Sequence, residues 1–334
     1  MTYEEIINDI QKGMIKPIYF LYGDEPYFID QISDYIEKNV LSEDEKGFNQ
    51  MVLYGRDVDM SEVVSNAKRF PMMAERQVII VKEAQDLSRS IDQLEPYINN
   101  LVPSTVLVFN YKYKSPDKRK TVFKKLASVG VLFESKPLYE NQVPAWIGHY
   151  IKQKDYQMDP KAALMLVEFL GTDLSRIANE LGKLFIVLPP GHVISPKDVE
   201  LNIGISKDFN NFELRKAIGS KNVVKANQII QYFAQNPKNN PTVVTISLLN
   251  AFFTQLLQLH SLTNKTDKNA VAALLKVNPF FVGDYMEAGK NYPMRKVSEI
   301  IGYLRDADMK SKGVGARDMD QDDLLKELVF KILH

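Results

Sequence analysis

The stretch Phe70-Pro71-Met72-Met73-Ala74-Glu75-Arg76-Gln77-Val78-Ile79-Ile80-Val81-Lys82 decides how the rest of the chain is read. Val78 to Val81 are β-branched without interruption. A run apolar on both faces is the pattern of a strand covered on two sides, as in a parallel sheet flanked by helices. Ahead of it, Pro71 ends any preceding helix, and two methionines occupy the turn into the strand. Methionine is flexible and polarisable, which suits both the edge of a core and a surface that adapts to a partner. From this stretch alone, Met72 and Met73 fit either place.

Toward the N-terminus, Ile6, Ile7 and Ile10 share a face of an opening helix that Gly13 ends. Ile18 to Tyr22 reads as a buried strand. It runs through Gly23-Asp24-Glu25-Pro26 into a helix with Phe28, Ile29, Ile32, Tyr35 and Ile36 on its apolar face. Strand, glycine turn and helix N-terminus are the layout of a phosphate-binding loop. A working loop needs Gly, four residues, then Gly-Lys-Ser/Thr. Counting from Gly23, those three positions hold Phe28, Ile29 and Asp30. A benzyl group blocks backbone approach, the cation is missing, and Asp30 repels a phosphate. The loop is expected not to bind nucleotide, and no cofactor is expected.

Met51 to Gly55 reads as a second strand, and Ser61 opens a helix with Val63, Val64 and Ala67 inward. Glu83 follows the Val78 strand where ATPases of this architecture hold magnesium, but without a P-loop lysine or hydroxyl it reads as a solvated turn residue. Ile91, Leu94, Tyr97 and Ile98 make a helical face, and Thr105 to Phe109 and Val131 to Glu134 complete the strands. Strands alternating with helices at this spacing indicate a doubly wound parallel sheet. Between the last two strands, Lys112, Lys114, Lys118, Arg119, Lys120, Lys124 and Lys125 face a single acid, Asp117. The window is either a contact to a phosphate backbone or a solvated helix face with Val122, Phe123 and Leu126 turned inward.

After a polar, proline-containing linker from Pro137 to Pro144, the β-pattern gives way to helices. Val143, Trp146, Ile147, Tyr150 and Ile151 recur at helical spacing, so Trp146 reads as a core residue. Leu164 to Leu170 makes a second helix, and Asp173 caps a third with Leu174, Ile177, Leu181, Leu184 and Phe185 inward. Ser195-Pro196-Lys197-Asp198 opens a fourth. From Phe209 on, the chain is helical again, with a long apolar helix from Val243 to Leu262 whose broad face implies burial in a bundle or against another subunit. A polar linker from Lys310 to Asp318 precedes the last helix.

The 42 basic and 42 acidic side chains cancel, so no overall field draws the chain to DNA or a membrane. The absence of cysteine excludes disulfides, thiolate nucleophiles and cysteine-ligated zinc, and suits a reducing cytoplasm. The acidic N-terminus is unlike a signal peptide, and no wholly apolar run approaches the ~20 residues that cross a bilayer. His149, His192, His260 and His334 are scattered without metal-ligand spacing. There is no nucleophile elbow, dinucleotide fingerprint or compact carboxylate pair. No catalytic residue and no metal site are expected.

Five motifs in register carry a resemblance. They are Gly23-Asp24-Glu25-Pro26-Tyr27-Phe28-Ile29 after a strand, Met72-Met73-Ala74-Glu75-Arg76-Gln77 before one, and Asp117-Lys118-Arg119-Lys120. The others are Asp173-Leu174-Ser175-Arg176-Ile177-Ala178-Asn179-Glu180-Leu181-Gly182-Lys183-Leu184 and Asp306-Ala307-Asp308-Met309-Lys310-Ser311-Lys312-Gly313. Together they resemble the delta subunit family of bacterial DNA polymerase III, the clamp-loader subunits that open the sliding clamp. The resemblance implies an α/β AAA+-like clamp-binding domain over residues 1–140 with a degenerate P-loop. A small helical lid domain over 141–207 and a C-terminal helical collar over 208–334 follow. It implies the sliding clamp (the beta subunit), the gamma/tau ATPase subunits, delta prime and primed DNA as partners. No intrinsic activity is implied, only membership of a DNA-directed DNA polymerase holoenzyme. In that family an apolar pair before the Arg-Gln strand plugs a pocket on the clamp. Here that pair is Met72 and Met73, flanked by Phe70 and Pro71, where relatives commonly carry leucine and phenylalanine. An ATPase with an unusual nucleotide site, and a DNA-binding module of another replication or repair complex, remain the alternatives.

Overall fold

A computed structural model describes the chain except residues 205, 207, 263–266, 278 and 316–319. It separates into two compact units, Met1–Leu138 and Tyr139–His334. The expected boundary at 207/208 and part of the linker over 310–318 lie outside the described residues.

The first unit is a five-stranded sheet: β1 (Ile18–Gly23), β2 (Gln50–Tyr54), β3 (Gln77–Lys82), β4 (Thr105–Lys112) and β5 (Val131–Ser135). Every pairing is parallel, in the order β2-β3-β4-β1-β5, which is the AAA+-type order. The helices are α1 (Tyr3–Gln11), α2 (Pro26–Asn39), α3 (Glu43–Asn49), α4 (Met60–Ala67), the short α5 (Glu95–Ile98) and α6 (Thr121–Val129). The alternation of side chains along each strand explains the uninterrupted apolar runs. Phe20, Tyr22, Ile79, Val81, Leu107 and Phe109 meet Met60, Val63, Val122, Phe123 and Leu126 on one face. Tyr19, Leu21, Val78, Ile80, Val106, Val108 and Phe133 meet Ile6, Ile10, Ile29, Ile32 and Ile36 on the other. Both faces are dry, so both sets of alternate residues are apolar through the middle of the sheet, and the buried polar residues Gln77, Thr105, Asn110 and Ser135 lie toward the strand ends. The helical face expected over Ile91 to Ile98 is a 3₁₀ turn, Ile91–Leu94, running into α5.

The second unit begins with α7 (Val143–Lys152), α8 (Pro160–Leu170), α9 (Leu174–Val187) and α10 (Pro196–Ile203). A parallel pair of two-residue strands, β6 (Gln157–Met158) and β7 (Val193–Ile194), joins them. Such short strands leave no periodicity in the sequence. Trp146 is not a core residue: it is half-buried and stacks on Tyr150 at 5.4 Å, while Val143, Ile147 and Ile151 fill the interior. The bundle continues with α11 (Asn211–Gly219), α12 (Val223–Gln235), α13 (Thr242–Ser261), α14 (Lys268–Leu275), α15 (Val282–Asn291), α16 (Met294–Ser311) and α17 (Gln321–Leu333). Among the described residues, α13 alone has the length and mean hydropathy to cross a bilayer. Its apolar side (Ile246, Leu249, Phe252, Phe253, Leu256 and Leu259) is buried in the bundle core, which accounts for that composition.

Candidate functional site

Two places in the first unit hold residues singled out from the sequence: the turn between α4 and β3, and the loop after β1. In the turn, Met72 is 61% exposed, Met73 102% and Phe70 79%, with Pro71 half-buried. Neither methionine caps the core. Met73 has a left-handed backbone (φ 54°), uncommon for a residue with a side chain. Such a residue persists where its surroundings hold it, and here they do. The Asn49 side chain accepts from the Met72 amide at 2.7 Å and donates to the Met72 carbonyl at 2.9 Å, so one buried amide matches both polar groups of one peptide residue. Asn49 also donates to the Glu45 carbonyl at 3.1 Å, which ties the turn to α3.

The turn's other flank is fixed by Gln77. Its side-chain amide donates to Thr105 Oγ1 at 2.7 Å and to the carbonyls of Asn66 and Arg69. Thr105 Oγ1 in turn donates to the Ala67 carbonyl at 2.9 Å. The result is an exposed apolar tip on a backbone fastened at both ends. Sequence reading missed Asn49, Gln77 and Thr105. Asn49 lies 23 positions from Met72 and has no local signature; Gln77 stood in the quoted motif, with no partner visible.

The loop after β1 has the outline of a phosphate site and is closed on itself. Gly23 adopts φ +131°, and a Cβ there would fall 2.0 Å from the Ser135 carbonyl oxygen. The Glu25 amide donates to that same oxygen at 3.3 Å, and Ser135 Oγ donates to the Glu25 carbonyl at 2.6 Å. The Tyr27 amide is taken by Glu25 Oε1 at 2.9 Å. Two of the amides that would face a phosphate here, those of Glu25 and Tyr27, are therefore engaged within the protein, and Pro26 between them has none. Phe28 packs on the Tyr3 ring at 5.2 Å, and Ile29 is buried in the core.

Asp30, at the position of the magnesium-binding hydroxyl, instead contacts Lys112 Nζ at 2.8 Å. Glu83 lies 3.7 Å from the same ammonium and accepts from the Gln85 side chain at 2.6 Å. Glu83 is thus an ion-pairing residue and not simply a solvated turn. Burial alone would depress the pKa of Lys112. The hydrogen bond and charge of Asp30, with the charge of Glu83, reverse the sign and raise it. A lysine of the protein itself stands between Asp30 and Glu83, at the two positions that in a working loop would carry the hydroxyl and the acid for a divalent cation.

The basic window is mostly neutralised. Lys118 pairs with Glu134 at 3.0 Å and lies over the Tyr22 ring. Arg119 pairs with Asp117 at 2.9 Å, Lys120 with Asp92 at 2.6 Å, and Lys125 with Glu95 at 2.8 Å. The Arg119 hydrogen bonds pull the Asp117 carboxyl down to about 2. With Lys112 committed to Asp30 and Glu83, the exposed Lys114 and Lys124 are the window's cations with no ion pair among the described residues. Several of these pairings join residues far apart in the chain, Lys112 with Asp30 and Lys125 with Glu95 among them, which is why the window looks more basic in sequence than it is.

The second unit holds a cavity of about 150 Å³ lined by Glu168, Asn211, Arg215, Phe212, Phe252 and Tyr285. The Arg215 guanidinium sits 5.2–5.8 Å from the ring centres of Phe212, Phe281, Phe252 and Tyr285. Burial pushes the Glu168 carboxyl up to about 7, against the opposing pull of Arg215.

Both units have counterparts among known proteins. The family described as DNA polymerase III, delta subunit matches residues 19–136, and its C-terminal domain family matches residues 208–331. The DNA polymerase III subunit delta of Bacillus subtilis (strain 168) is 26% identical over 325 residues, covering 94% of this chain and 92% of that protein. The solved Bacillus subtilis DNA clamp loader delta protein aligns over 99% of both chains, with a TM-score of 0.55 and 24% identity. The Thermotoga maritima RuvB Holliday junction branch migration motor aligns over 86% of each chain at 12% identity, with a TM-score of 0.37. Matched along both of its units and in the same order, the chain belongs to the DNA polymerase III delta subunit family.

Proposed function

We propose that this delta subunit grips and opens the sliding clamp of its replication complex with the turn Phe70-Pro71-Met72-Met73. The observation that carries this reading is the pair of exposed methionines on a turn that Asn49 pins from beneath. Burying a methionine in a partner's apolar pocket contributes roughly 1.5–3 kcal/mol, so two adjacent ones make the hot spot of an interface. A closed ring opens only if the protein binds the sprung form more tightly than the closed form. The rigid α/β unit supplies the unyielding surface that this requires.

Residues 141–207 act as the lid and 208–334 as the collar that joins the subunit to the gamma/tau ATPases and delta prime, in the cytoplasm. The nucleotide chemistry belongs to those ATPases. The self-closed loop at Gly23, with Phe28, Ile29 and Asp30 in place of the phosphate-binding residues, supports a subunit without catalysis of its own. It also argues against the ATPase alternative. For primed DNA, Lys114 and Lys124 are the available contacts of the basic window, which makes any such contact auxiliary and the DNA-binding-module alternative the weaker reading.

The test is Met72→Ala/Met73→Ala. Its Kd for the cognate clamp, read by surface plasmon resonance, is expected to rise at least about 100-fold, with the melting temperature unchanged because both side chains are exposed. Unaltered clamp affinity would overturn the proposal.

A further inference from the structure

The helix beneath the methionine turn has an unusual composition of buried and exposed groups. Among its seven residues, the one buried side chain is Asn49, and that side chain is spent on the Met72 backbone. No apolar residue of α3 faces the core. Its one large apolar side chain, Phe48, is 77% exposed. The N-terminus of α3 is secured by Ser42 and Glu45, the Ser42 amide donating to Glu45 Oε2 at 2.9 Å, and Lys46 reaches the Lys38 carbonyl at 3.2 Å. The helix is therefore fixed by polar contacts at its start and by Asn49 at its end. The Phe48 ring contributes nothing to holding it.

Phe48 is nevertheless held close to the turn. Two hydrogen bonds below 3.0 Å join Asn49 to Met72. The Cα of Phe48 is one peptide, ~3.8 Å, from that of Asn49. Large exposed apolar side chains on two backbone segments that are hydrogen-bonded to each other are the composition of an interface anchor.

We infer that Phe48 is a second anchor for the sliding clamp, entering an apolar depression on the ring beside the one that takes Met72 and Met73. The inference rests on the clamp-gripping reading above and extends it from a turn to a two-element surface, with Asn49 as the rivet between the elements. The same bonds set the spacing of the two anchors, so a ring that has sprung open and one that is closed present different fits to them.

The test compares Phe48→Ala, Phe48→Leu and Met72→Ala/Met73→Ala in the full chain, measuring Kd for the cognate clamp by surface plasmon resonance and the melting temperature of each variant. Phe48→Ala is expected to weaken binding about tenfold or more, Phe48→Leu to recover part of that loss, and neither to move the melting point. Wild-type affinity in Phe48→Ala, alongside loss of binding in the methionine variant, overturns the second anchor and leaves the clamp-gripping reading standing. Wild-type affinity in all three overturns that reading as well. Should Phe48→Ala lower the melting point, hydrogen exchange of the wild-type chain decides: slowed exchange over residues 45–49 on adding clamp supports the anchor, and unchanged exchange there refutes it.

Discussion

Replacing Asn49 with alanine removes the two bonds to the Met72 peptide at 2.7 and 2.9 Å and the one to the Glu45 carbonyl at 3.1 Å, while deleting no side chain from the apolar tip. At a net ~1 kcal/mol per bond, the local holding energy lost is about 2–3 kcal/mol. Because Gln77 still fixes the other flank, the loss opens the turn without unfolding the sheet. Exchange of the Met72 amide should accelerate about 30- to 150-fold while the global melting temperature falls by only a few degrees.

Clamp binding then has to re-order Pro71, Met72 and Met73. At ~1 kcal/mol per backbone residue, that costs about 3 kcal/mol, or roughly 100-fold in Kd. Asn49→Asp is the sharper control. It keeps an acceptor for the Met72 amide but presents an oxygen to the Met72 carbonyl, so it should bind no better than alanine. The assays are hydrogen exchange by NMR and surface plasmon resonance against the cognate clamp. If Met72 exchange accelerates in Asn49→Ala yet clamp affinity stays within threefold of wild type, pre-ordering of the turn is irrelevant to the grip and the reasoning fails.

Two further outcomes concern buried charge. Lys112→Met leaves Asp30 and Glu83 facing each other uncompensated and should cost about 1–2 kcal/mol in urea unfolding, since both carboxylates are partly screened by solvent. A double-mutant cycle with Asp30→Asn should show coupling, and strict additivity would remove the ion pair from the account. In the helical unit, the Glu168 carboxyl, held at about 7 when folded against its ordinary 4.5, binds a proton that the unfolded chain has already released. Its contribution is fully present below pH ~4.5 and is lost as pH rises through ~7, a decline of up to about 3 kcal/mol. Glu168→Gln should flatten that part of the stability–pH curve, and an unchanged slope would refute the assignment.

The sheet was legible in the sequence because its signal is local. Val78 to Val81, Ile18 to Tyr22 and Thr105 to Phe109 are strands whose two faces are both dry, and each announces itself by its own composition. The degenerate loop was legible for the same reason, since the motif it lacks is contiguous. What was not legible is pairing at a distance. Nothing near Asn49 points to Met72, nothing near Lys120 points to Asp92, and Glu83 resembled a solvated residue until Lys112 was placed beside it. Helix α3 escaped notice because it has no apolar period to detect: an amide, not a hydrophobic face, holds it down. Trp146 misled in the opposite direction, since helical spacing placed it inward although its ring lies half-buried against Tyr150.

The lysine between Asp30 and Glu83 has a consequence for what this fold can become. Reverting Asp30 to a hydroxyl residue would leave Lys112 leaning on Glu83 alone, and reverting Phe28 to glycine would strip the cover from Tyr3. A lysine in place of Ile29 would drive a cation into a dry interior. Each step back toward an ATP site is uphill before the next can help. The loop is therefore insulated from acquiring a phosphate-binding sequence by single substitutions: its present contacts would each have to be given up before a nucleotide could offset their loss.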